Sequence, residues 1–336
     1  MKAIVCVEPG KLERRDVPPP VAREGWITIE IRAVGVCGTD FHIFEGSHPY
    51  LQYPRIMGHE LSAVVAEGSG NDRLPPGTPV VVNPYLVCGS CIACRKGRFN
   101  CCTNLQCLGV HTDGGMTERI MLPEGNLYPA GNLRERDIAM VEFLAIGAHA
   151  VRRSATGKGE RTLVVGMGPI GIGTALFARA AGADVTVLDV SEGRLAFARE
   201  ILGFREQIFG GPGAHDEAER RTGGEFYDCV FDATGNARAM EASVAFVAHA
   251  GSLVFVGVLN ADLTFSDPEL HKREITILAS RNALKADFDQ VMAAMRDDAI
   301  PTDAINTHTA ALSDLPEVMP AWLASKAPPV KAILTL

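Results

Sequence analysis

The hydrophobic and polar positions follow two different rhythms along the chain. Residues 26–34 alternate apolar and polar side chains, as in a half-buried strand, and short β-branched runs at 61–66 and 80–82 are bounded by glycine and proline. These runs predict a barrel-like, β-rich domain in the first part of the chain.

After residue 161 the rhythm changes, because strand-like apolar runs begin to alternate with helical stretches. The strand-like runs lie at 163–165, 185–188, 229–231 and 253–256, and the helical stretches at 172–181, 193–202 and 239–248. Strand and helix in turn, at about 25–30 residues per unit, predict an α/β domain with a doubly wound parallel sheet. A last apolar run, 330–336, predicts a terminal strand.

Composition and charge narrow the class of protein. The 336 residues suggest two domains of about 150 residues each, and twelve of the twenty prolines precede residue 130, which agrees with a turn-rich first domain. The formal charge of −8 argues against a nucleic-acid partner, and no apolar run reaches the length of a membrane span. The first residues lack the pattern of a signal peptide, so the expected location is cytoplasmic.

A glycine loop follows the first strand of the alternating region and opens a helix. It fits the GxGxxG pattern with Gly166, Met167, Gly168, Pro169, Ile170 and Gly171. Such a loop lets a pyrophosphate approach the backbone at a helix N-terminus. Asp189 ends the next predicted strand and favours NAD over NADP, because its charge would repel a 2′-phosphate. Arg194 leaves NADP open, since its guanidinium would attract that phosphate.

Four cysteines have the spacing of a structural metal site. Cys88, Cys91, Cys94 and Cys102 follow the pattern C-x2-C-x2-C-x7-C, which suits a closed tetrahedral zinc. An iron–sulfur cluster is the main alternative, but the ferredoxin run ends with a three-residue gap and a proline. Cys101 is the alternative fourth ligand. The odd total of nine cysteines, without a secretory signal, argues against a disulfide framework.

A second group of metal-ligating side chains lies nearer the N-terminus. Cys37 and His59 offer a thiolate and an imidazole, which suit zinc, and a catalytic zinc needs only three protein ligands. Thr39 lies two residues after Cys37, and His42 three residues further on. Cys37 alone would be a buried core thiol in about half of such cases, and His59 alone would be a core histidine more often still. Their joint presence with Thr39 and His42 indicates a catalytic metal site.

Taken together, these motifs resemble the zinc-dependent medium-chain dehydrogenases, the superfamily of alcohol, sorbitol and threonine dehydrogenases. The resemblance covers essentially the whole chain and is carried by residues 37–40, 58–60, 88–102 and 166–171. It implies a split GroES-like catalytic domain at 1–145 and 283–336, with a Rossmann NAD-binding domain inserted at 146–282. It also implies two zinc ions per chain and NAD as the cofactor.

The resemblance implies particular roles around the catalytic metal. Cys37, His59 and Glu142 would hold the zinc, with Glu60 beside it as an alternate ligand. Asp40 would orient the His59 ring from behind.

Further roles concern the proton and the cofactor. Thr39 would take the proton of the substrate hydroxyl and pass it toward His42. The backbone of Val256, Gly257 and Val258 would contact the nicotinamide carboxamide. The implied reaction is the reversible transfer of a hydride from a secondary alcohol to NAD.

Within the superfamily the chain resembles bacterial sugar-acid dehydrogenases of the L-galactonate 5-dehydrogenase type. The stretches that carry this resemblance are 53–60, 108–115, 265–272 and 279–282. The implied substrate is an L-galactonate-like aldonate, whose carboxylate would suit a guanidinium. Arg281 is the candidate for that contact, and the alternative is that Arg281 forms an ion pair within the protein.

Other functions stay open at this point. The same mechanism would serve a neutral polyol, a hexitol phosphate or L-threonine. A non-catalytic NAD-binding zinc protein, acting as a sensor, would have lost Cys37, His59 or Thr39, and all three are present. The expected partners are a small-molecule substrate and further copies of the chain, as a dimer or tetramer, with neither nucleic acid nor membrane.

Overall fold

The computed structural model describes residues 1–48, 51–325 and 328–336. The chain divides into two units. Unit 1 comprises Met1–Glu142 and Leu284–Leu336, and unit 2 comprises Phe143–Ala283. Within the described ranges, no helix has both the length and the apolar character needed to cross a membrane.

The first part of unit 1 consists mainly of short strands, as the alternating pattern predicts. The strands are β1 (Lys2–Glu8), β2 (Lys11–Asp16), β3 (Trp26–Val36), β4 (Arg55–Ile56), β5 (Glu60–Val65), β6 (Pro79–Val82), β7 (Tyr85–Leu86), β8 (Gln106–Cys107), β9 (Arg119–Pro123) and β10 (Leu127–Pro129). The helices are α1 (Gly38–Glu45), α2 (Ile92–Arg95) and α3 (Glu135–Ile138). Helix α4 (Val141–Ser154) begins in the last two residues of this part and continues into unit 2. The runs predicted at 26–34, 61–66 and 80–82 correspond to β3, β5 and β6. The first half of β3 alternates buried and half-exposed residues, because one face packs on the core of unit 1.

Unit 2 alternates strands and helices around one parallel sheet. The strands are β11 (Arg161–Val165), β12 (Asp184–Asp189), β13 (Gln207–Phe209), β14 (Tyr227–Asp232), β15 (Val247–Phe255) and β16 (Thr276–Ala279). The helices are α5 (Pro169–Ala180), α6 (Glu192–Glu200), α7 (Ala214–Thr222), α8 (Ala237–Ala242) and α9 (Asp267–Arg273). The spatial order is β13-β12-β11-β14-β15-β16, with every pair parallel. The predicted Rossmann sheet is confirmed, and its strand order reverses between β11 and β14, where such sheets bind their ligands.

The last part of the chain returns to unit 1. Its elements are α10 (Lys285–Arg296), α11 (Thr302–Ile305), β17 (Asn306–Ala311), α12 (Leu315–Ala324) and β18 (Lys331–Thr335). The main sheet of unit 1 has the order β10-β6-β5-β3-β18-β17, with β9 also paired to β3. The predicted terminal strand is present as β18. It pairs antiparallel with β3, so that Ala332 lies opposite Val36. This pairing brings the last strand of the chain beside the segment that contains Cys37.

One expectation from the apolar pattern is wrong in part. The pattern predicts a helix over 239–248, but α8 ends at Ala242 and β15 begins at Val247. Val247 pairs with Tyr227 of β14, so the chain is already extended where alanine-rich spacing suggests a helix. Pairing with neighbouring strands overrides the local helix propensity of this segment.

Candidate functional site: a metal centre and a nucleotide-binding loop

Three metal-ligating side chains meet where β3 ends and β5 begins. Cys37 follows β3 directly, His59 precedes β5, and Glu60 is its first residue. The two strands are paired so that Gly35 lies opposite Glu60. The donor atoms of Cys37, His59 and Glu60 lie within 4.8 Å of one another. We call these three residues the catalytic cluster.

Gly35 provides the space that the catalytic cluster needs. A Cβ atom at this position would lie 2.2 Å from Oε2 of Glu60 and 2.9 Å from the carbonyl oxygen of Ala139. The second atom belongs to the backbone and cannot move aside as a flexible side chain could. Glycine is therefore required for the Glu60 carboxylate to lie against β3.

Asp40 holds the backbone around the catalytic cluster. Its Oδ2 accepts a hydrogen bond from the backbone N–H of Cys37 at 2.9 Å, and its Oδ1 accepts one from the N–H of Gly58 at 3.3 Å. The expectation that Asp40 orients the His59 ring is wrong in this structure, because the carboxylate binds these two amides, while Nδ1 of His59 is buried and has no hydrogen-bond partner among the described residues. Asp40 therefore fixes the segments that carry the ligands.

His59 has the surroundings of a metal ligand. The residue is buried, and its Nδ1 atom is an unsatisfied buried nitrogen. Burial lowers the pKa of the ring, but the charges of Cys37 and Asp40 raise it, and the net pKa lies well above the ordinary value. An imidazole and a thiol surrounded by acidic groups favour the binding of a cation.

Glu60 forms a buried ion pair with a residue from the other end of the chain. Nζ of Lys331 lies 2.7 Å from both Oε1 and Oε2 of Glu60, and it also donates to the carbonyl oxygen of Val36 at 3.2 Å. The two side chains are 1% and 0% exposed. Removing either partner would leave an uncompensated buried charge, so each depends on the other.

Glu142, in the first turn of α4, has a different partner. It is buried, and its Oε1 accepts a hydrogen bond from the hydroxyl of Tyr85. Burial raises the pKa of Glu142, while the positive charge of His59 lowers it. Glu142 is not among the residues whose donor atoms lie within 4.8 Å of one another. The structure thus groups Glu60 with the two predicted ligands and leaves Glu142 beside Tyr85.

Thr39 and His42 lie on one face of α1, because they are three residues apart. Oγ1 of Thr39 lies 3.7 Å from Sγ of Cys37, so its hydroxyl borders the catalytic cluster. His42 is exposed, and its Nδ1 lies 3.4 Å from Oγ of Ser47. The hydroxyl of Thr39 thus lies beside the cluster, and the ring of His42 lies in the solvent.

The four predicted cysteines converge on one point, within what we call the cysteine loop (88–102). The sulfur atoms of Cys88, Cys91, Cys94 and Cys102 lie within 4.8 Å of one another. The backbone N–H groups of Cys91 and Cys94 donate to the sulfur atoms of Cys88 and Cys91 at 3.4 and 3.5 Å. The N–H of Cys94 lowers the pKa of Cys91 to about 5, which favours the thiolate. Cys101 is exposed and outside this group.

The glycine loop of unit 2 has the geometry of a diphosphate site. Gly166 has φ +91°, in the left-handed region. A Cβ atom at Gly171 would lie 1.7 Å from the carbonyl oxygen of Gly166, so only glycine fits. A Cβ at Gly168 would meet nothing within 4 Å. Gly168 is the N-cap of α5, whose first two residues are Pro169 and Ile170. Open space at a helix N-terminus is suited to an anion.

Asp189 ends β12, the neighbour of β11, and it is bonded to the glycine loop. Its Oδ2 accepts from the backbone N–H of Met167 at 2.6 Å, and its Oδ1 accepts from the N–H of Ser191 at 2.8 Å. A guanidinium nitrogen of Arg194 lies 3.7 Å from Oδ2. The carboxylate of Asp189 therefore offsets part of the positive charge of Arg194. The same carboxylate would repel a 2′-phosphate.

The remaining predicted residues of unit 2 follow strands of the same sheet. Val256, Gly257 and Val258 come directly after β15, and Arg281 comes two residues after the end of β16. The N–H groups of Val256 and Gly257 both donate to the carbonyl oxygen of Asp232, at 2.8 and 3.0 Å. All of these segments leave the carboxyl ends of parallel strands, which is the edge that also carries the glycine loop.

Comparison with known proteins gives the family. The alcohol dehydrogenase GroES-like domain matches residues 23–132, and the zinc-binding dehydrogenase domain matches residues 169–297. The L-galactonate-5-dehydrogenase of Escherichia coli K12 is 40% identical and aligns with 100% of this chain and 99% of its own length. The chain belongs to the zinc-type alcohol dehydrogenases.

Other relatives of this dehydrogenase differ in substrate and cofactor. The D-altritol 5-dehydrogenase of Agrobacterium fabrum is 32% identical over 94% of this chain and 94% of its own. An alcohol dehydrogenase of Escherichia coli CFT073, solved with NADH, has a TM-score of 0.93 and 26% identity, and covers 100% of this chain and 99% of its own. A dehydrogenase from Sinorhizobium meliloti 1021 bound to NADP has a TM-score of 0.90 and 26% identity, with the same coverage.

The donor atoms of this dehydrogenase fit zinc at both clusters. Four convergent thiols in the cysteine loop match a closed structural site. A thiol, an imidazole with an unsatisfied buried nitrogen, and buried carboxylates match a catalytic site.

The sequence analysis did not identify Lys331 and Tyr85, whose side chains bind the buried carboxylates of Glu60 and Glu142. For Lys331 a signal existed, because a lysine stands inside the otherwise apolar terminal run and its strand is buried. A buried lysine is almost always paired with an acidic side chain, so its position predicts a buried carboxylate nearby. For Tyr85 there was no local signal, since its partner Glu142 lies far away in the chain.

Proposed function

We propose that this dehydrogenase catalyses the reversible oxidation of a secondary alcohol of a sugar acid, an aldonate of the L-galactonate class, with NAD. The observation that carries the proposal is the catalytic cluster with the hydroxyl of Thr39 at its border, 3.7 Å from Cys37. Identity of 40% to an L-galactonate-5-dehydrogenase, over both full lengths, supports the substrate class.

In this proposal Cys37, His59 and Glu142 hold a catalytic zinc, and the cysteine loop holds a structural one. Zinc, when bound, lowers the pKa of the substrate hydroxyl so that the alcohol loses its proton near neutral pH. Asp40 keeps the segments of Cys37 and His59 in register through its two backbone hydrogen bonds. The ion pair with Lys331 holds the Glu60 side chain in place.

Thr39 and His42 carry the proton away. As Oγ1 of Thr39 accepts the proton of the substrate hydroxyl, it releases its own hydroxyl proton toward His42, on the same face of α1, and the exposed imidazole gives a proton to the solvent. The exposure of His42 and the position of Thr39 beside Cys37 support this direction of transfer.

Unit 2 would bind the cofactor, whose nicotinamide ring would supply the hydride acceptor. The glycine loop receives the diphosphate at the N-terminus of α5, and Asp189 receives the ribose hydroxyls. The segment 256–258 lines the nicotinamide. The buried Asp189, with its partner Arg194 3.7 Å away, favours NAD over NADP.

Arg281 is the proposed contact for the substrate carboxylate. A guanidinium binds a carboxylate through two parallel hydrogen bonds, which a neutral polyol cannot form. Substrates with the carboxylate should therefore be preferred over the corresponding hexitols.

The test is the rate of NAD reduction with aldonates, neutral hexitols, hexitol phosphates and L-threonine, together with the zinc content of the same sample. The expected result is turnover of a six-carbon aldonate by protein that holds two zinc ions per chain. Turnover of neutral hexitols alone would contradict the role of the carboxylate. No turnover of any substrate, with one zinc per chain, would contradict the catalytic site.

A neutral polyol is the second candidate substrate. The D-altritol 5-dehydrogenase, 32% identical over 94% of this chain, favours it. Comparing an aldonate with the hexitol of the same configuration decides between the two classes, since only the carboxylate differs.

A further inference from the structure

Two buried carboxylates can supply the third ligand of the catalytic zinc, and their surroundings differ. Both oxygens of Glu60 lie 2.7 Å from Nζ of Lys331. Within the described part of the chain, Glu142 accepts a hydrogen bond at Oε1 alone, and the donor is the neutral hydroxyl of Tyr85. An ammonium on both oxygens competes with a metal for them, whereas a hydroxyl on one oxygen leaves the other available.

The distances between donor atoms alone would favour Glu60 as the third ligand. Glu60, not Glu142, belongs to the group of donor atoms within 4.8 Å of one another. Lys331, however, is 1% exposed and enters from β18, so releasing Glu60 would leave a buried ammonium with fewer acceptors. The energetic cost of freeing Glu60 therefore exceeds the cost of turning Glu142, which needs no ion pair to be broken.

The position of the Tyr85 hydroxyl is fixed through its backbone. The N–H of Tyr85 donates to Oδ1 of Asn83 at 3.1 Å, and its carbonyl oxygen accepts from Nδ2 of Asn126 at 3.0 Å. The same amide of Asn126 donates to the carbonyl oxygen of Asn83 at 2.8 Å. Tyr85 is also paired with Cys107 across β7 and β8.

The ring of Tyr85 is buried as well, at 5% exposure. A tyrosine with a fixed backbone and a buried ring presents its hydroxyl in one direction, here toward Oε1 of Glu142. This is the arrangement of a group that orients a metal ligand, in which an outer partner sets the direction of an inner one.

We propose that Tyr85 is a positioning residue that makes Glu142, and not Glu60, the carboxylate ligand of the catalytic zinc. The inference rests on the proposed function, because it requires a metal at Cys37 and His59. Tyr85 holds Oε1 and so presents Oε2 to the metal, while Lys331 keeps both oxygens of Glu60 occupied. Tyr85 touches neither substrate nor cofactor in this role.

The test measures how strongly the full-length protein holds its two metals. Zinc-loaded wild type and Tyr85→Phe are dialysed against a graded series of chelator concentrations, and the zinc retained per chain is measured. Loss of an outer partner of a metal ligand typically weakens the metal by about 10–100-fold. We expect Tyr85→Phe to release one of its two zinc ions at a chelator activity lower by about that factor, with the second zinc unaffected.

Tyr227→Phe is the matched control. Tyr227 is a buried tyrosine of unit 2, and its hydroxyl interacts with the side chain of Thr186. The same substitution there removes a buried phenolic oxygen without touching a carboxylate, so both zinc ions should be retained as in wild type. Far-ultraviolet circular dichroism of both variants verifies that the fold is intact.

A second measurement separates positioning from packing. Cobalt is exchanged into the catalytic site, and its visible absorption reports the geometry and identity of the ligands. The spectrum should change in Tyr85→Phe and not in Tyr227→Phe. In a Glu142→Gln background, Tyr85→Phe should cause no further loss of metal affinity, because Tyr85 acts through that carboxylate.

Three outcomes would overturn the inference. Equal zinc retention by Tyr85→Phe and wild type would show that the hydroxyl does not position a ligand. A further weakening by Tyr85→Phe in the Glu142→Gln background would show that it acts elsewhere. Wild type with a single zinc per chain would overturn both this inference and the proposed function, whereas the first two results leave the proposed function intact.

Discussion

The cysteine loop and the catalytic cluster lie in the same unit and are built in opposite ways. The four sulfur atoms of the loop come from residues 88–102, and backbone amides of the same loop donate to them. The catalytic cluster takes Cys37 from the end of β3 and His59 and Glu60 from the start of β5, and its ion pair comes from β18. A site of the first kind depends on local chain geometry, and a site of the second kind depends on how distant strands pair.

Because of this difference, we expect single substitutions to remove the metal or the function of one site without affecting the other. The largest effect is expected at the catalytic cluster. Cys37→Ala should reduce turnover by at least about 10³-fold, because the metal contributes several kcal/mol to the transition state. The zinc content should fall from two to one per chain, while the cysteine loop keeps its metal.

Cys229→Ala is the control for Cys37→Ala. Cys229 is a buried cysteine of β14 in unit 2, outside both clusters. The Cys229→Ala protein should retain both zinc ions and most of the turnover. Loss of both metals in Cys37→Ala would contradict the independence of the two sites.

The ion pair tests whether distant strands hold the cluster together. Lys331→Met should lower the free energy of unfolding by about 3–5 kcal/mol, because it leaves Glu60 as an unpaired buried carboxylate. Urea unfolding measures this. Adding Glu60→Gln should recover much of the loss, since the amide carries no charge.

An exposed lysine provides the comparison for Lys331→Met. Lys285 pairs with Asp289 at the surface of α10, 2.6 Å apart, with both side chains about half exposed. Lys285→Met should cost less than about 1 kcal/mol. Similar costs at the two lysines would mean that the buried pair does not stabilise unit 1.

The cysteine loop is expected to give an intermediate effect, on stability more than on catalysis. Cys91→Ser should release the structural zinc and lower the melting temperature by roughly 5–10 °C, equivalent to about 2–3 kcal/mol. Turnover below the new melting temperature should be largely retained. The exposed Cys101 is the control, and Cys101→Ser should keep both metals. A loss of zinc in Cys101→Ser would assign the fourth ligand to Cys101 instead.

The smallest effect is expected at Asp189, the carboxylate that accepts a hydrogen bond from the glycine loop. Asp189→Ala removes the charge that opposes a 2′-phosphate and should reduce the preference for NAD over NADP by about 10-fold, or ~1.4 kcal/mol. The ratio of kcat/KM for the two cofactors measures this. Asp184→Ala, at the exposed start of the same strand β12, should leave the ratio unchanged.

The local features could be read from the sequence with good accuracy. The glycine loop, the cysteine loop and the alternation in unit 2 are patterns of neighbouring residues, and the structure contains all of them. The helix over 239–248 failed because alanine-rich spacing carries no information about the strand that pairs with Val247. The predicted role of Asp40 was wrong for a similar reason. The backbone amide of Gly58, which donates to its carboxylate, is distant in sequence and lies next to Asp40 only in the folded chain.

Residue types and spacing were enough to indicate the family, the two metal-ligating groups and the dinucleotide fold, because thiols, imidazoles and glycines at short intervals restrict the chemistry wherever the chain folds. The partners of the two buried glutamates, Glu60 and Glu142, were decided only by the tertiary structure. Glu60 meets Lys331 because β18 lies against β3, and Glu142 meets Tyr85 because both are buried in the same part of unit 1. A buried charge must be compensated, but long-range packing, and not local spacing, brings the compensating group to it.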